Sequence, residues 1–139
     1  SYEDVPTSHI DYLPSPNSSF VVYHFSFYFA RSGSSGTELN CQFKLQYSND
    51  NGLNWSDWGD NTECYLGSAG TYSRHRTVVD MKWALSTTGW TSAKRLRVLG
   101  LEDTGSNVRL HQLESFLDST GTLSGDHKYG CSVSCYSVE

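Results

Sequence analysis

Paired carboxylates are the first groups in this sequence whose types and spacing could do chemistry. Glu102 and Asp103 are adjacent, and Glu114 and Asp118 lie within one short segment. Hard oxygen ligands of this kind suit Ca²⁺, and two facing carboxylates can also share acid and base roles. The alternative is that they are solvated strand ends. We take Glu102, Asp103 and Asp118 as candidate Ca²⁺ ligands and assign no catalytic residue.

Other catalytic signatures are missing from the sequence. It has no Gly-x-Ser-x-Gly elbow, no His-Glu-x-x-His and no phosphate-binding glycine loop. The five histidines are scattered, and such residues are commonly exposed or satisfied within strands. The sequence therefore predicts a protein that is not an enzyme, with a small hydrolase as the weakest alternative.

Four cysteines could form two disulfides. A bond between Cys41 and Cys64 would close a loop of about two dozen residues and stabilise the fold by roughly 3 kcal/mol. Cys131 and Cys135 are then the remaining pair, and pairing across the two sets is the main alternative. A zinc site is less favoured, because Cys131-x-x-x-Cys135 is the only doublet with ligand spacing and only His127 lies near it.

Two sequons and the even cysteine number indicate an oxidising compartment. Asn17-Ser18-Ser19 and Asn54-Trp55-Ser56 are acceptors for N-linked glycans. No apolar run approaches the roughly 20 residues that cross a bilayer, and the chain begins with neither Met nor a signal-peptide pattern. We expect a processed protein or an excised domain that is secreted, or displayed on the surface of a particle, without membrane insertion.

The composition limits both the size of the fold and the kind of partner. The 139 residues suffice for one domain with its own core, and 14% aromatic against 18% charged residues is typical of β-rich chains. A net charge of −5 gives no electrostatic footprint for nucleic acid, since Arg74-His75-Arg76 is only a small basic cluster. We expect a protein partner or a cell-surface glycan, in keeping with a place in a larger assembly.

Aromatic residues beside cations form the predicted binding surface. Such pairs can stack on sugar rings or anchor a protein interface. The alternative is that most of the tryptophans belong to the core or pin loops. The candidates are Trp58, Tyr72, Arg74, His75, Arg76 and Trp90.

Strands are the elements that must position these residues. In "FVVYHFSFYFA" (20–30), Phe25 and Phe27 alternate with polar residues, and "CQFKLQY" (41–47) repeats the pattern with its other face expected in solvent. Further strands are predicted at 76–85, 93–102 and 107–118, although residues 80–86 could instead form a helical turn. Residues 1–19 should form an extended arm before a single domain at 20–139. Strands without intervening helices predict an all-β antiparallel sandwich or jelly roll.

The stretch "SNDNGLNW" (48–55) has the spacing Ser-x-Asp-x-Gly-x-x-Trp. Gly52 can adopt the positive φ of a tight reversal, and Ser48 and Asp50 can accept hydrogen bonds from the amides of the turn. Trp55 would cover the hairpin. The pattern predicts a well-specified hairpin between two strands and carries no signal for catalysis.

That pattern looks like an Asp-box, and the chain resembles a subrepeat of reelin-type proteins. The Asp-box also resembles elements of sialidases, but a single copy in 139 residues cannot close their propeller. The resemblance implies an extracellular, non-enzymatic jelly roll, often stabilised by Ca²⁺ and used in adhesion or receptor contact. It rests on Leu45 to Trp55, Cys64, Trp83 or Trp90, "RLRVLG" (95–100) and "LESFLD" (113–118).

Two functions are therefore predicted. The first is adhesion, recognition or assembly through protein contacts. The second is a lectin-like carbohydrate-binding module on a cell surface or on a viral or phage fibre, because such modules share the same architecture.

Overall fold

Strands make up all the regular structure that the computed structural model describes, which confirms the all-β prediction. The described residues are 1–5, 7–32, 39–59, 62–66, 76–102, 107–110, 112–114, 126–128 and 131–139. The strands are β1 (Glu3–Asp4), β2 (Ile10–Tyr12), β3 (Phe20–Ser32), β4 (Leu39–Ser48), β5 (Ser56–Asp57), β6 (Thr62–Leu66), β7 (Arg76–Ser86), β8 (Lys94–Glu102), β9 (Asn107–Leu110), β10 (Gln112–Glu114), β11 (Asp126–Lys128) and β12 (Ser132–Val138).

Two antiparallel sheets enclose the core. In sheet A, β8 pairs with β4 on one side and with β1 and β2 on the other, and β5 and β6 pair with the far side of β4. In sheet B, β3 lies between β7 on one side and β12 and β9 on the other. β10 and β11 form a separate pair. The predicted antiparallel sandwich is confirmed, whereas the jelly-roll connectivity stays a prediction.

The core follows the two-residue period of the strands. In β3, Phe25 is 0% and Phe27 1% exposed, and in β4, Phe43 is 2% and Leu45 0% exposed. The rings of Phe27 and Phe43 meet edge to face with centroids 5.4 Å apart, which joins sheet B to sheet A. Alternation in the sequence therefore identified the correct inward face of both strands.

Residues 80–86 lie in β7, so the alternative of a helical turn is wrong. The side chains of Met81 and Leu85 are buried, while Asp80 and Lys82 are exposed, as a period of two requires. The β3–β7 ladder runs without a break from Phe20↔Ser86 to Ala30↔Arg76. Pairing with a long central strand decides the conformation here, because strand preference depends on neighbouring strands.

Residues 1–19, expected to form an arm ahead of the domain, add two strands to sheet A and reach into the core. Val5 is 1% and Ser8 0% exposed. The Ser8 hydroxyl accepts a hydrogen bond from the Val98 amide at 3.0 Å and faces the Val98 carbonyl at 3.4 Å. The Ser8 carbonyl accepts a hydrogen bond from the Tyr23 hydroxyl of sheet B at 2.5 Å. The N-terminal segment thus ties the two sheets together.

Replacing Ser8 by alanine should lower the free energy of unfolding by about 1–3 kcal/mol, because the buried Val98 amide loses its acceptor. Urea denaturation of the purified chain measures this change. Ser92→Ala, at an exposed position between β7 and β8, is the matched control and should change the free energy by less than about 0.5 kcal/mol. Equal effects of the two substitutions would show that the Ser8 hydroxyl does not fix the N-terminal segment to Val98 of β8.

Candidate functional site

The chain reversal between β4 and β5 is built on the side chains of Ser48 and Asp50. Ser48 is 2% exposed, and its hydroxyl accepts hydrogen bonds from the amides of Asp50 at 3.2 Å and Gly52 at 2.8 Å. The same hydroxyl donates to Asp50 Oδ1 at 2.6 Å. Asp50 also accepts from the backbone amide of Asn54 at 2.9 Å and from its side-chain amide at 2.6 Å. Two short side chains therefore hold the whole turn.

Two residues of this turn have a positive φ. Gly52 has the predicted conformation, with φ of 91°, and Asn51, for which none was predicted, has φ of 57°. A Cβ on Gly52 would lie 3.2 Å from Trp55 Cζ2, and Trp55 Nε1 donates to the Gly52 carbonyl at 3.0 Å. The structure brings Ser48, Asp50, Gly52 and Trp55 together, while their assignment to the Asp-box family stays a prediction.

Hydrogen bonds from the Ser48 hydroxyl, and then from Asn54, lower the pKa of Asp50 from 3.8 to about 2. The carboxylate is therefore ionised at neutral pH and acts as an acceptor for the turn. A carboxylate held in this way acts as an acceptor within the hairpin that the sequence predicts.

A connected set of polar side chains covers the outer face of sheet A, the face turned away from the core. The register places Asp57, Gln46 and Arg97 in one row across β5, β4 and β8. Gln46 donates to Asp57 Oδ1 at 2.6 Å and accepts from Arg97 Nε and Nη2 at 3.1 and 2.8 Å. Lys44 donates to the second oxygen of Asp57 at 3.1 Å. Hydrogen bonds from Gln46, and then from Lys44, lower the pKa of Asp57.

The N-terminal segment completes this outer face. Asp4 Oδ2 lies 3.4 Å from Arg97 Nη1 and 2.7 Å from His9 Nε2. Arg95 donates to both oxygens of Asp11, at 2.7 and 2.9 Å, and this hydrogen-bonded pair lowers the pKa of Asp11. We define the outer face of sheet A by its polar side chains, which are those of Asp4, His9, Asp11, Lys44, Gln46, Asp57, Arg95 and Arg97.

The hairpin docks on the outer face of sheet A through Trp55. The guanidinium carbon of Arg97 lies 3.9 Å from the centroid of the Trp55 ring, and the His9 ring meets the same indole at 5.8 Å in a T-shaped arrangement. Arg95 Nη1 donates to the Asn51 carbonyl at 2.9 Å. Because a stacked cation contributes about 0.5–2 kcal/mol according to its exposure, these contacts fix the hairpin against β8.

Trp90, which was predicted to lie on the aromatic binding surface, does not lie there. This residue is 5% exposed and belongs to the core. Trp58 is partly buried, with its ring centroid 4.9 Å from that of Tyr47 and 5.3 Å from that of Trp90. Both tryptophans therefore pack with the interior of the sandwich, which is the alternative that the sequence left open.

The remaining ligand and metal candidates lie largely beyond what the structure describes. Tyr72, Arg74, His75, Asp103 and Asp118 fall outside the described residues. For Arg76, Glu102 and His127, the structure describes only the positions in the strands, which are β7, β8 and β11. Among the described side chains, no group of three His, Cys, Asp or Glu is placed to hold a metal ion. Ca²⁺ binding stays a prediction.

The expected bond between Cys131 and Cys135 is wrong, because Cys135 lies in β12 and Cys131 directly precedes that strand, four positions away. A strand advances about 3.3 Å per residue, so residues four positions apart exceed the roughly 7 Å between Cα atoms that a disulfide tolerates. Burial raises the pKa of Cys135 to about 12. Cys41 and Cys64, by contrast, are directly opposed in the β4–β6 ladder.

Both sequon asparagines are exposed. Asn17 lies in a turn before β3, and Asn54 lies in the hairpin, where its side-chain amide is bonded to Asp50. Each position is therefore on the surface, and glycosylation of either stays a prediction.

Sequence reasoning missed most of the outer face of sheet A. The signal for Arg95 and Arg97 was present, because their alternation with Leu96 and Val98 places both on one side of β8. The face of β4 expected in solvent is in fact covered, and Gln46 is 9% exposed. The acidic partners of the two arginines lie 84 and 93 positions away in the chain, where no local pattern can reveal them.

Comparisons with protein-family models, with curated proteins and with solved structures give no match. Within the described ranges, no helix is long and apolar enough to cross a membrane. The class that the fold defines is an antiparallel β-sandwich with a tightly hydrogen-bonded hairpin docked on one sheet.

The Asp50→Asn variant should lose part of the acid sensitivity of the fold. Asp50 has a folded-state pKa below its usual value, so its contribution to stability is complete above about pH 4 and is lost as the pH falls towards about 2. Thermal unfolding, followed by circular dichroism across this range, should show a shallower pH dependence in the variant. Glu3→Gln, an exposed carboxylate in β1, is the control. An unchanged slope for Asp50→Asn would show that the bonds to Ser48 and Asn54 do not stabilise the anion.

Proposed function

We propose that this chain is a non-enzymatic recognition module of an extracellular protein and binds a protein partner through the outer face of sheet A. The observation that carries the proposal is a set of three carboxylates held at fixed positions on that face. The side chains of Asp4, Asp11 and Asp57 are 43%, 53% and 51% exposed, and each is hydrogen-bonded to a cation of the face.

Fixed side chains favour binding because less conformational entropy is lost on association. Each rotamer-rich side chain that an interface immobilises costs about 0.5–1.5 kcal/mol. Asp57 accepts from two neighbours and Asp11 from Nε and Nη2 of Arg95, so their positions are set before a partner arrives. The stack of Arg97 on Trp55 adds the two residue types most enriched in binding hot spots, together with tyrosine.

The exposures on this face indicate a basic partner. The cations are the less exposed members of the pairs, with Lys44 at 17%, Arg97 at 20% and Arg95 at 35%. The carboxylates therefore lie outermost, and the chain as a whole carries a net charge of −5. Complementary charge speeds association and selects the partner, so we expect lysines and arginines on the surface that this face contacts.

A lectin-like module is the second proposal. The same fixed carboxylates could accept hydrogen bonds from sugar hydroxyls, which supports it. Stacking on sugar rings is less well supported, because Trp90 lies in the core and Arg97 covers the ring of Trp55. Protein contact is therefore the function that the geometry favours.

The Asp57→Lys substitution should weaken binding to a protein partner by at least about tenfold. It replaces an outermost carboxylate by a cation, which repels the basic surface expected on the partner. The tetramerised chain would be screened against arrays of extracellular domains and, in parallel, of glycans, with Ca²⁺ and with EDTA. Asp57→Lys is compared with Asp80→Lys, whose side chain is 55% exposed on sheet B.

Each outcome of this screen decides between the proposals. Saturable binding to a protein that weakens in Asp57→Lys but not in Asp80→Lys supports the outer face of sheet A. Equal weakening in both variants contradicts it, and saturable binding to one glycan class would replace it by the lectin-like module. Dependence on Ca²⁺ would support the ligands predicted at Glu102, Asp103 and Asp118.

We also propose that Cys41 and Cys64 form a disulfide in an oxidising compartment. Directly opposed residues of antiparallel strands have Cβ atoms about 4.5–5.5 Å apart, close to the separation that a disulfide needs. The register of β4 and β6 supports this pairing, and the two sequons support the same compartment.

Peptide mapping without reduction, on protein secreted from cells, should yield a fragment that joins Cys41 to Cys64. Alkylation in denaturant before reduction should modify Cys131 and Cys135 only, and reduction should destabilise the fold by roughly 3 kcal/mol. Four alkylatable thiols in the secreted protein would contradict the disulfide and weaken the extracellular assignment.

A further inference from the structure

Asn51 is the only asparagine of the chain that precedes a glycine. In such a pair, the backbone nitrogen of the glycine can attack the side-chain carbonyl carbon of the asparagine, since glycine has no Cβ to hinder the approach. The new N–Cγ bond closes a succinimide, the Cγ–Nδ2 bond breaks and ammonia leaves. Water then opens the ring to aspartate or isoaspartate. Asn51 is exposed, so water reaches this position.

The peptide unit that would have to react is hydrogen-bonded at both of its polar atoms. The Asn51 carbonyl accepts from Arg95 Nη1 at 2.9 Å, and the Gly52 amide donates to Ser48 Oγ at 2.8 Å. These two bonds, which we name the peptide clamp, join the tip of the hairpin to β8 and to the end of β4.

Ring closure requires the peptide clamp to open. The Gly52 nitrogen must lose its proton and turn towards the side chain of its neighbour, which ends its bond to Ser48. Rotation of the same peptide plane moves the Asn51 carbonyl away from Arg95. Ser48 is 2% exposed and Arg95 is itself held by Asp11, so neither partner follows the peptide freely.

We propose that Asn51 is a modification site of this protein, at which the peptide clamp formed by Ser48 and Arg95 controls succinimide formation and deamidation. The reaction needs only water and releases ammonia. Both products add a carboxylate next to Asp50, and isoaspartate also lengthens the backbone of the turn by one carbon. Both products disturb the hairpin, on which Trp55 and the outer face of sheet A depend. Deamidation is thus a reaction of this chain separate from partner binding.

Deamidation at residue 51 can be measured on the whole chain by peptide mapping with isoaspartate quantification after incubation in mildly alkaline buffer. The folded protein should react more slowly than the same protein in denaturant. Ser48→Ala and Arg95→Ala should each accelerate the reaction by about fivefold or more, the change in an opening equilibrium expected when one hydrogen bond is lost.

Val79→Ala is the matched control, because it weakens the core from β7 of sheet B, at a distance from the peptide clamp. In conditions where every variant is folded by circular dichroism, Val79→Ala should deamidate at the rate of the unsubstituted chain. Acceleration by Val79→Ala equal to that by Ser48→Ala would overturn the proposal, as would equal rates in the folded and denatured chain. If Ser48→Ala fails to fold, the deamidation rate of Arg95→Ala and the hydrogen exchange of the Gly52 amide test the proposal instead. Rapid exchange at that amide would contradict a closed peptide clamp.

Discussion

The pairing of the N-terminal segment with β8 is the constraint on which the core and the candidate site both depend. β8 directs Leu96 and Val98 inward and Arg95 and Arg97 outward. The segment along its edge therefore meets two environments. It supplies Val5 and Ser8 to the interior and three charged or titratable groups, at positions 4, 9 and 11, to the outer face of sheet A.

The contacts that the N-terminal segment makes on the core side of β8 contribute most to the stability of the fold. Burial raises the pKa of Tyr23 far above its usual range, so its hydroxyl is a neutral donor to the Ser8 carbonyl. Tyr23, Ser8 and Val98 are each 0% exposed, and a buried amide left without an acceptor costs about 1–3 kcal/mol. A second tie joins the Tyr12 hydroxyl to the Ser137 hydroxyl of β12 at 2.7 Å. The N-terminal segment is thus a structural part of the sandwich.

The contacts that the N-terminal segment makes on the outer face of sheet A fix the positions of side chains more than they stabilise the fold. Exposed ion pairs are each worth about 0–1 kcal/mol, because solvent screens them and long side chains lose rotamer freedom. What the network fixes is position: the bidentate pair of Arg95 with Asp11 and the fork of Arg97 on Gln46 each define an orientation as well as a distance. A surface that is ordered but adds little to stability is well suited to recognition.

The sequence predicts the local contacts of the fold and the candidate site better than the contacts between distant parts of the chain. The long strands and the hairpin were predictable, because alternation and turn chemistry act over a few residues, as at Phe25, Leu45 and Gly52. Trp90 was misjudged because composition does not tell which aromatic residue a turn folds inward. Here the bond from the Trp90 amide to the Thr87 carbonyl, at 3.0 Å, returns the chain to the core after Gly89.

The hairpin and the outer face of sheet A are one cooperative unit, because they share their fixing residues. Arg95 bonds to Asp11 on one side and to the Asn51 carbonyl on the other, so a change in either partner alters the position of the guanidinium for both. Arg97 likewise joins Gln46 to the ring of Trp55. Residues in one network have non-additive energies, typically by 0.5–3 kcal/mol. The positions of the two arginines on the outer face of sheet A therefore depend on a well-specified turn.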